Sequence, residues 1–337
     1  MDHFVVFPVN EDGVFQNPKL VGRALEDAMS PPFNFTDVFI YSHGWWTNGN
    51  EAMAEYGQYT IEFTKAFLSM NGVAAPPVHS LGIGIHWPST LSEESVSVGQ
   101  ALEPVSYYQM GSRANQVGAN GLFATLRRAL STRQGTSGDP IRLTLIGHSF
   151  GCRVVCKALQ FLCKDLDNAA TPQDYKAFLN ATQMRVILLQ AAFKNDEFEP
   201  GGNYDRLIGI PGLKILVTTS QLDFALNNFF PIAEEANNMA HFHPAKAIAL
   251  GAGGPTRAAA GTYVAYNRGT PVQVGPNFAN ASVPVLAPGE RMLVADLTSL
   301  HQARITSNQF VPNKFSGSHS DISSPEIYNL IAGFAFQ

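Results

Sequence analysis

The sequence predicts an α/β protein built on a mostly parallel sheet. Two observations carry that expectation. Short runs rich in Val, Ile, Leu and Phe recur along the chain, and amphipathic helical patterns and turn signals separate them. The 337 residues are 45% hydrophobic and only 15% charged, enough apolar material for one large domain with a full core and too little charge for a disordered chain. The 22 Lys and Arg against 27 Asp and Glu leave a net charge of −5, with no basic run to neutralise phosphates, so nucleic-acid binding is not expected.

The first strand is expected at Phe4–Phe7 and the second at Val38–Ser42, behind the Pro31-Pro32 break. Leu81–His86, Ile141–Ile146, Arg185–Gln190, Leu213–Thr219 and Arg291–Asp296 continue the series. Helices are expected over Ala52–Met70 and Gln116–Leu130, and a final one from Ser324-Pro325. The clearest helix follows Gly151, where Cys152, Val155, Cys156, Leu159, Leu162 and Cys163 recur at three- and four-residue steps while Arg153, Lys157, Gln160 and Lys164 take the other side. That pattern makes the three cysteines small buried hydrophobes under a helix rather than metal or redox ligands. From Ala225 to about Glu290 the pattern loosens into Gly, Pro, Ala and Asn, and an irregular, cap-like insertion is expected within a single domain spanning 1–337.

No run approaches the roughly 18 apolar residues of a membrane helix. The opening MDHFVVFPVNEDG lacks the basic start of a secretory signal, so the cytoplasm is the expected compartment. In that setting the glycosylation-like triplets at Asn34, Asn180 and Asn280 are chance matches. Gly251-Ala-Gly253-Gly254-Pro255 lacks the third glycine and the helix of a dinucleotide loop and reads as a turn, so no cofactor is called for.

The chemistry concentrates in Gly147-His148-Ser149-Phe150-Gly151, a G-x-S-x-G set between an apolar strand and an amphipathic helix. That context needs a turn so sharp that only glycine fits at its ends, and it exposes the Ser149 hydroxyl as a nucleophile. A serine needs a base within hydrogen-bond reach and an acid to orient that base. Asp223, closing the strand-and-loop run Lys214–Asp223, is the expected acid, with Asp196 as competitor. Among His241, His243, His301 and His319, the base is expected to be His319, in a Gly/Ser loop after the last strand. His241 and His243 lie in the insertion, and His301 follows the strand too closely. The oxyanion donors are expected to be the backbone N–H of Phe150 and of Trp45, the latter freed by the turn at His43-Gly44. Trp46, Trp87 and His148 are expected to border the substrate, with core packing the alternative for Trp87.

Strand-His43-Gly44, Gly147-His-Ser149-Phe-Gly151, Asp223 and His319 together resemble the serine α/β-hydrolase superfamily. His43-Gly-Trp-Trp and Trp87-Pro88-Ser89 resemble, more narrowly, a poorly characterised group with His-Gly-Tyr/Trp-Asn and Trp-Pro-Ser motifs. The resemblance covers most of the chain outside 225–290. It implies the α/β-hydrolase fold and Ser/Asp/His acyl chemistry more firmly than a substrate. The expected activity is hydrolysis of small-molecule carboxylic esters with short to medium, uncharged acyl groups. An amidase, peptidase or acyltransferase with the same triad is the alternative within enzymes, and an inactive hydrolase-fold binding protein is the alternative outside them.

Overall fold

The computed structural model describes residues 3–45, 47–71, 79–90, 104–136, 139–241, 247–256, 270–314 and 316–337. Among these, eight strands form one sheet: β1 (His3–Pro8), β2 (Asp37–Ser42), β3 (Ser80–His86), β4 (Arg142–His148), β5 (Gln183–Leu189), β6 (Lys214–Thr219), β7 (Val272–Gln273) and β8 (Met292–Asp296). The spatial order is β1-β3-β2-β4-β5-β6-β8-β7, and every pairing is parallel. The seven expected runs are the seven longer strands, displaced by a residue or two at their ends. The two-residue β7 is too short to leave a pattern in the sequence.

Parallel strands need crossovers, and crossovers bury both faces of the sheet. The alternation along β2 shows it: Val38 and Ile40 join one apolar cluster, Phe39 and Tyr41 the other. Helices α1 (Pro18–Met29), α3 (Pro104–Gln116), α4 (Phe123–Thr136) and α5 (Gly151–Asp167) contribute buried residues to the first cluster. Helix α2 (Gly49–Asn71) contributes to the second, as does α10 (Pro325–Ala335), after α6 (Gln173–Ala181), α7 (Phe230–His241), α8 (Leu250–Gly253) and α9 (Thr298–Thr306). The result is a three-layer α/β architecture.

Three helices differ from expectation for local reasons. α2 starts ahead of its apolar pattern because Asn48 and Glu51 cap it reciprocally: the Glu51 N–H donates to Asn48 Oδ1 (3.0 Å) and the Asn48 N–H to Glu51 Oε2 (3.1 Å). The helix expected at Gln116–Leu130 is the middle of a longer run, α3 passing through a wide π turn at Val117–Leu122 into α4. At Gly118 a β carbon would come within 2.4 Å of Val154 O, so glycine there lets the turn lie against α5. The third difference is in the stretch from Ala225, which is not irregular at its start. A π turn over Ala225–Phe229 runs into α7, because Leu226, Phe230 and Ala233 recur at helical steps and are buried. Pro231, which reads as a break, falls where the wide turn passes into α7. No described helix is long and apolar enough to cross a membrane.

Candidate active site

Ser149 stands in the turn between β4 and α5 at the carboxyl edge of the sheet, where open α/β sheets hold their ligands. Its φ is +54°, a strained left-handed conformation for a residue with a side chain. The turn is tight enough to exclude other residues at both glycines. A β carbon at Gly147 would lie 2.6 Å from the Cys152 backbone, and one at Gly151 would lie 2.1 Å from Ser42 O. The Ser149 N–H donates to Leu189 O (3.0 Å), tying the elbow to β5.

The structure brings Ser149, His319 and Asp223 together. His319 Nε2 lies 2.8 Å from Ser149 Oγ, and Nδ1 lies 2.7 Å from Asp223 Oδ2. A carboxylate only accepts, so Nδ1 carries the proton and Nε2 is free to accept from the serine hydroxyl. Asp223 is fully buried, and its other oxygen accepts from the Leu226 N–H (3.0 Å). Asp196, the competing acid, lies exposed in a turn after β5.

The loop carrying His319 is laced to the body by several side chains. Gln190 Nε2 donates to Ser318 O (3.1 Å), His148 Nε2 donates to His319 O (2.9 Å) and His301 Nε2 donates to Asp321 O (3.0 Å). Arg304 Nε reaches both carboxylate oxygens of Asp321 at 2.9 and 3.0 Å. His301 therefore supports the loop that carries His319, with its Nδ1 accepting from Ser220 Oγ (2.9 Å) and burial lowering its pKa from the ordinary value. Gly317, at φ +59°, lets the loop pair with Asp223; a β carbon there would meet Leu222 O at 2.4 Å. These supports escape a reading of the sequence because each joins distant segments, although the glycine two residues before His319 is a visible signal.

Gly44 abuts the elbow: a β carbon would lie 3.0 Å from both Ser149 Cβ and His148 Nδ1. His43 is completely buried, and its Nδ1–H donates to Gly44 O (2.9 Å). This bond fixes the plane of the next peptide, so the Trp45 N–H points away from His43. The Trp87 N–H donates to His43 Nε2 (3.3 Å), and burial holds this imidazole neutral, with its pKa down at about 3. Trp87, expected beside the substrate, is instead a core residue. It is 0% exposed, stacks on His43 with centroids 5.3 Å apart, and donates its indole N–H to His43 O (3.1 Å).

A cavity of about 750 Å³ opens over Ser149 and His319, within the range of small-molecule sites. One wall is apolar, with Trp45 set edge-on to Phe150 (5.6 Å) and with Leu226, Phe229, Phe230 and Ile232 from the segment opening at Ala225. Thr47 and, on α2, Glu51, Glu55 and Gln58 add polar groups to the lining. Burial raises the Glu55 carboxyl to about 6, Glu51 adds to the rise, and the hydrogen bond from Tyr41 OH opposes it. No Lys or Arg lines the cavity among the described residues. His148 lines it too, buried and held neutral with a pKa of about 3, by burial first and by the neighbouring His319 second. Trp46 and His243 lie outside the described residues, and His241 closes α7. Cys152, Cys156 and Cys163 are buried and unpaired, and burial raises all three thiols. No group of three or more His, Cys, Asp or Glu side chains that could hold a metal ion occurs among the described residues. No family model, curated protein or solved structure matches the chain, so a reading of this site rests on its own geometry.

Proposed function

We propose that the protein is a serine hydrolase of the α/β-hydrolase superfamily that cleaves carboxylic esters through an acyl-enzyme. One observation carries this reading: the Ser149–His319–Asp223 hydrogen-bond chain faces a cavity large enough for a small-molecule ester. In attack, Ser149 Oγ adds to the ester carbonyl while His319 Nε2 takes its proton. The resulting imidazolium is stabilised by buried Asp223 through Nδ1. The tetrahedral oxygen is held by the N–H of Phe150, at the cap of α5, and by that of Trp45. Collapse expels the alcohol, which collects the proton from His319. Water then attacks the acyl-enzyme by the same steps and releases the acid.

The apolar wall favours an uncharged acyl group, since each buried CH₂ contributes about 0.8 kcal/mol of transfer energy. Glu51 and Glu55 also line the cavity, with no cation in its described lining, so an anionic acyl chain meets repulsion there. The test is steady-state hydrolysis of a p-nitrophenyl ester series. Turnover that rises over the first few carbons and then falls, with hemisuccinate esters poor, is the expected result. A steady rise to long chains, or equal use of anionic acyl groups, would overturn the substrate assignment.

A further inference from the structure

We infer that His148 is a positioning residue, fixing the backbone of His319 relative to the nucleophile; this rests on the triad reading above. The imidazole is 7% exposed and sits where three parts of the site meet. By sequence it belongs to the elbow, one residue before Ser149. Its Nε2–H donates to His319 O at 2.9 Å, and the two rings lie with centroids 5.1 Å apart. Its Nδ1 edge abuts Gly44, where a β carbon would lie 3.0 Å away.

One ring thus spans the distance between the elbow and the base loop and leaves room for the oxyanion loop only because Gly44 has no side chain. The carbonyl it holds belongs to the residue whose Nε2 must meet Ser149 Oγ at 2.8 Å. Gln190 holds the carbonyl one residue earlier, so the His319 peptide is pinned on both sides by side-chain donors. A carbonyl can only accept, so Nε2 of His148 must carry the proton, and in a neutral ring Nδ1 stays bare toward Gly44. Neutrality matters for the chemistry. A charged His148 beside His319 would oppose the imidazolium that forms during attack, and burial keeps its pKa at about 3.

A displacement of about 1 Å at the reacting groups can cost on the order of 100-fold. The comparison is H148N against H148Q: the longer glutamine amide reaches the His319 carbonyl and the asparagine amide falls short. The readout is inactivation by a fluorophosphonate, which requires Ser149 and its base but no turnover, resolved into a maximal rate and a probe affinity, with the pH profile of that rate. H148N is expected to lower the maximal rate about 30-fold with affinity changed less than about threefold, and H148Q to recover to within about fivefold of wild type. H148F, apolar and of similar volume, repeats the loss in a background with no buried amide. An unchanged maximal rate in H148N and H148F, a loss confined to affinity, or equal losses in H148N and H148Q would overturn the positioning role. A wild type whose Ser149 is never labelled would instead remove the triad reading itself.

Discussion

Ser149 pays for its position in backbone strain, and the contacts around it keep that strain in place. Its φ is +54°, in a turn so tight that a β carbon at Gly147 or Gly151 would clash with backbone, and its N–H is tied to Leu189 O on β5. Removing only the hydroxyl should leave the fold intact, so S149A is expected to lower ester turnover by about 10⁴- to 10⁶-fold with an unchanged thermal midpoint. Residual activity above a few per cent would remove Ser149 from the nucleophile role. D223N should leave His319 in the wrong tautomer and cost about 10⁴-fold in kcat. D196N, on an exposed turn, should cost little, and the reverse ranking would move the acid role. That Ser149, Asp223 and His319 come together was legible because each lies in a loop that follows a strand. The contacts of His148, Gln190 and Gly317 were not legible, since they arise where segments far apart in sequence meet, as with His148 and His319, 171 positions apart.

At the scale of elements, α7 shows how a cavity wall is held. Glu234 on α7 is buried beside Tyr107 OH (3.1 Å), Lys194 Nζ (3.4 Å) and Arg153 (3.8 Å), which joins the wall to α3 and α5. Removing the acid takes the carboxylate from half-buried Arg153 and Lys194, so E234A should cost about 2 kcal/mol in urea unfolding and alter acyl-chain preference through the loosened wall. A variant with wild-type stability and preference would show that the wall is held by apolar packing alone. The strands were readable because both faces of a parallel sheet are apolar, and α5 was readable because its stripe is clean. α2 began early on account of a polar cap rather than an apolar residue. The helix from Ala225 was obscured by Asn227, Asn228 and Pro231, which local propensity reads as loop, while buried Leu226 and Phe230 hold it helical.

Over the whole molecule, pH links the site to the fold. His43 and His148 have pKa values lowered from the ordinary 6.5 to about 3, so between those values the unfolded chain binds protons that the folded one refuses. Stability is therefore full above pH 6.5 and falls as pH drops toward 3. At about 1.4 kcal/mol per pH unit per histidine, the loss from pH 7 to pH 5 is about 4 kcal/mol. Glu55, raised from 4.5 to about 6, acts with the opposite sign, because its protonated form is favoured in the fold; its smaller shift offsets only part of the loss. Urea midpoints at the two pH values check this, and H148Q should weaken the dependence; a midpoint flat between pH 7 and 5 would contradict it. Intact-mass and peptide mass spectrometry after treatment with a fluorophosphonate reads the reactivity of Ser149 itself. One adduct per chain is expected, on Ser149, absent from S149A and formed far more slowly in D223N. A wild type that gains no adduct, or an adduct on another residue that persists in S149A, would contradict it.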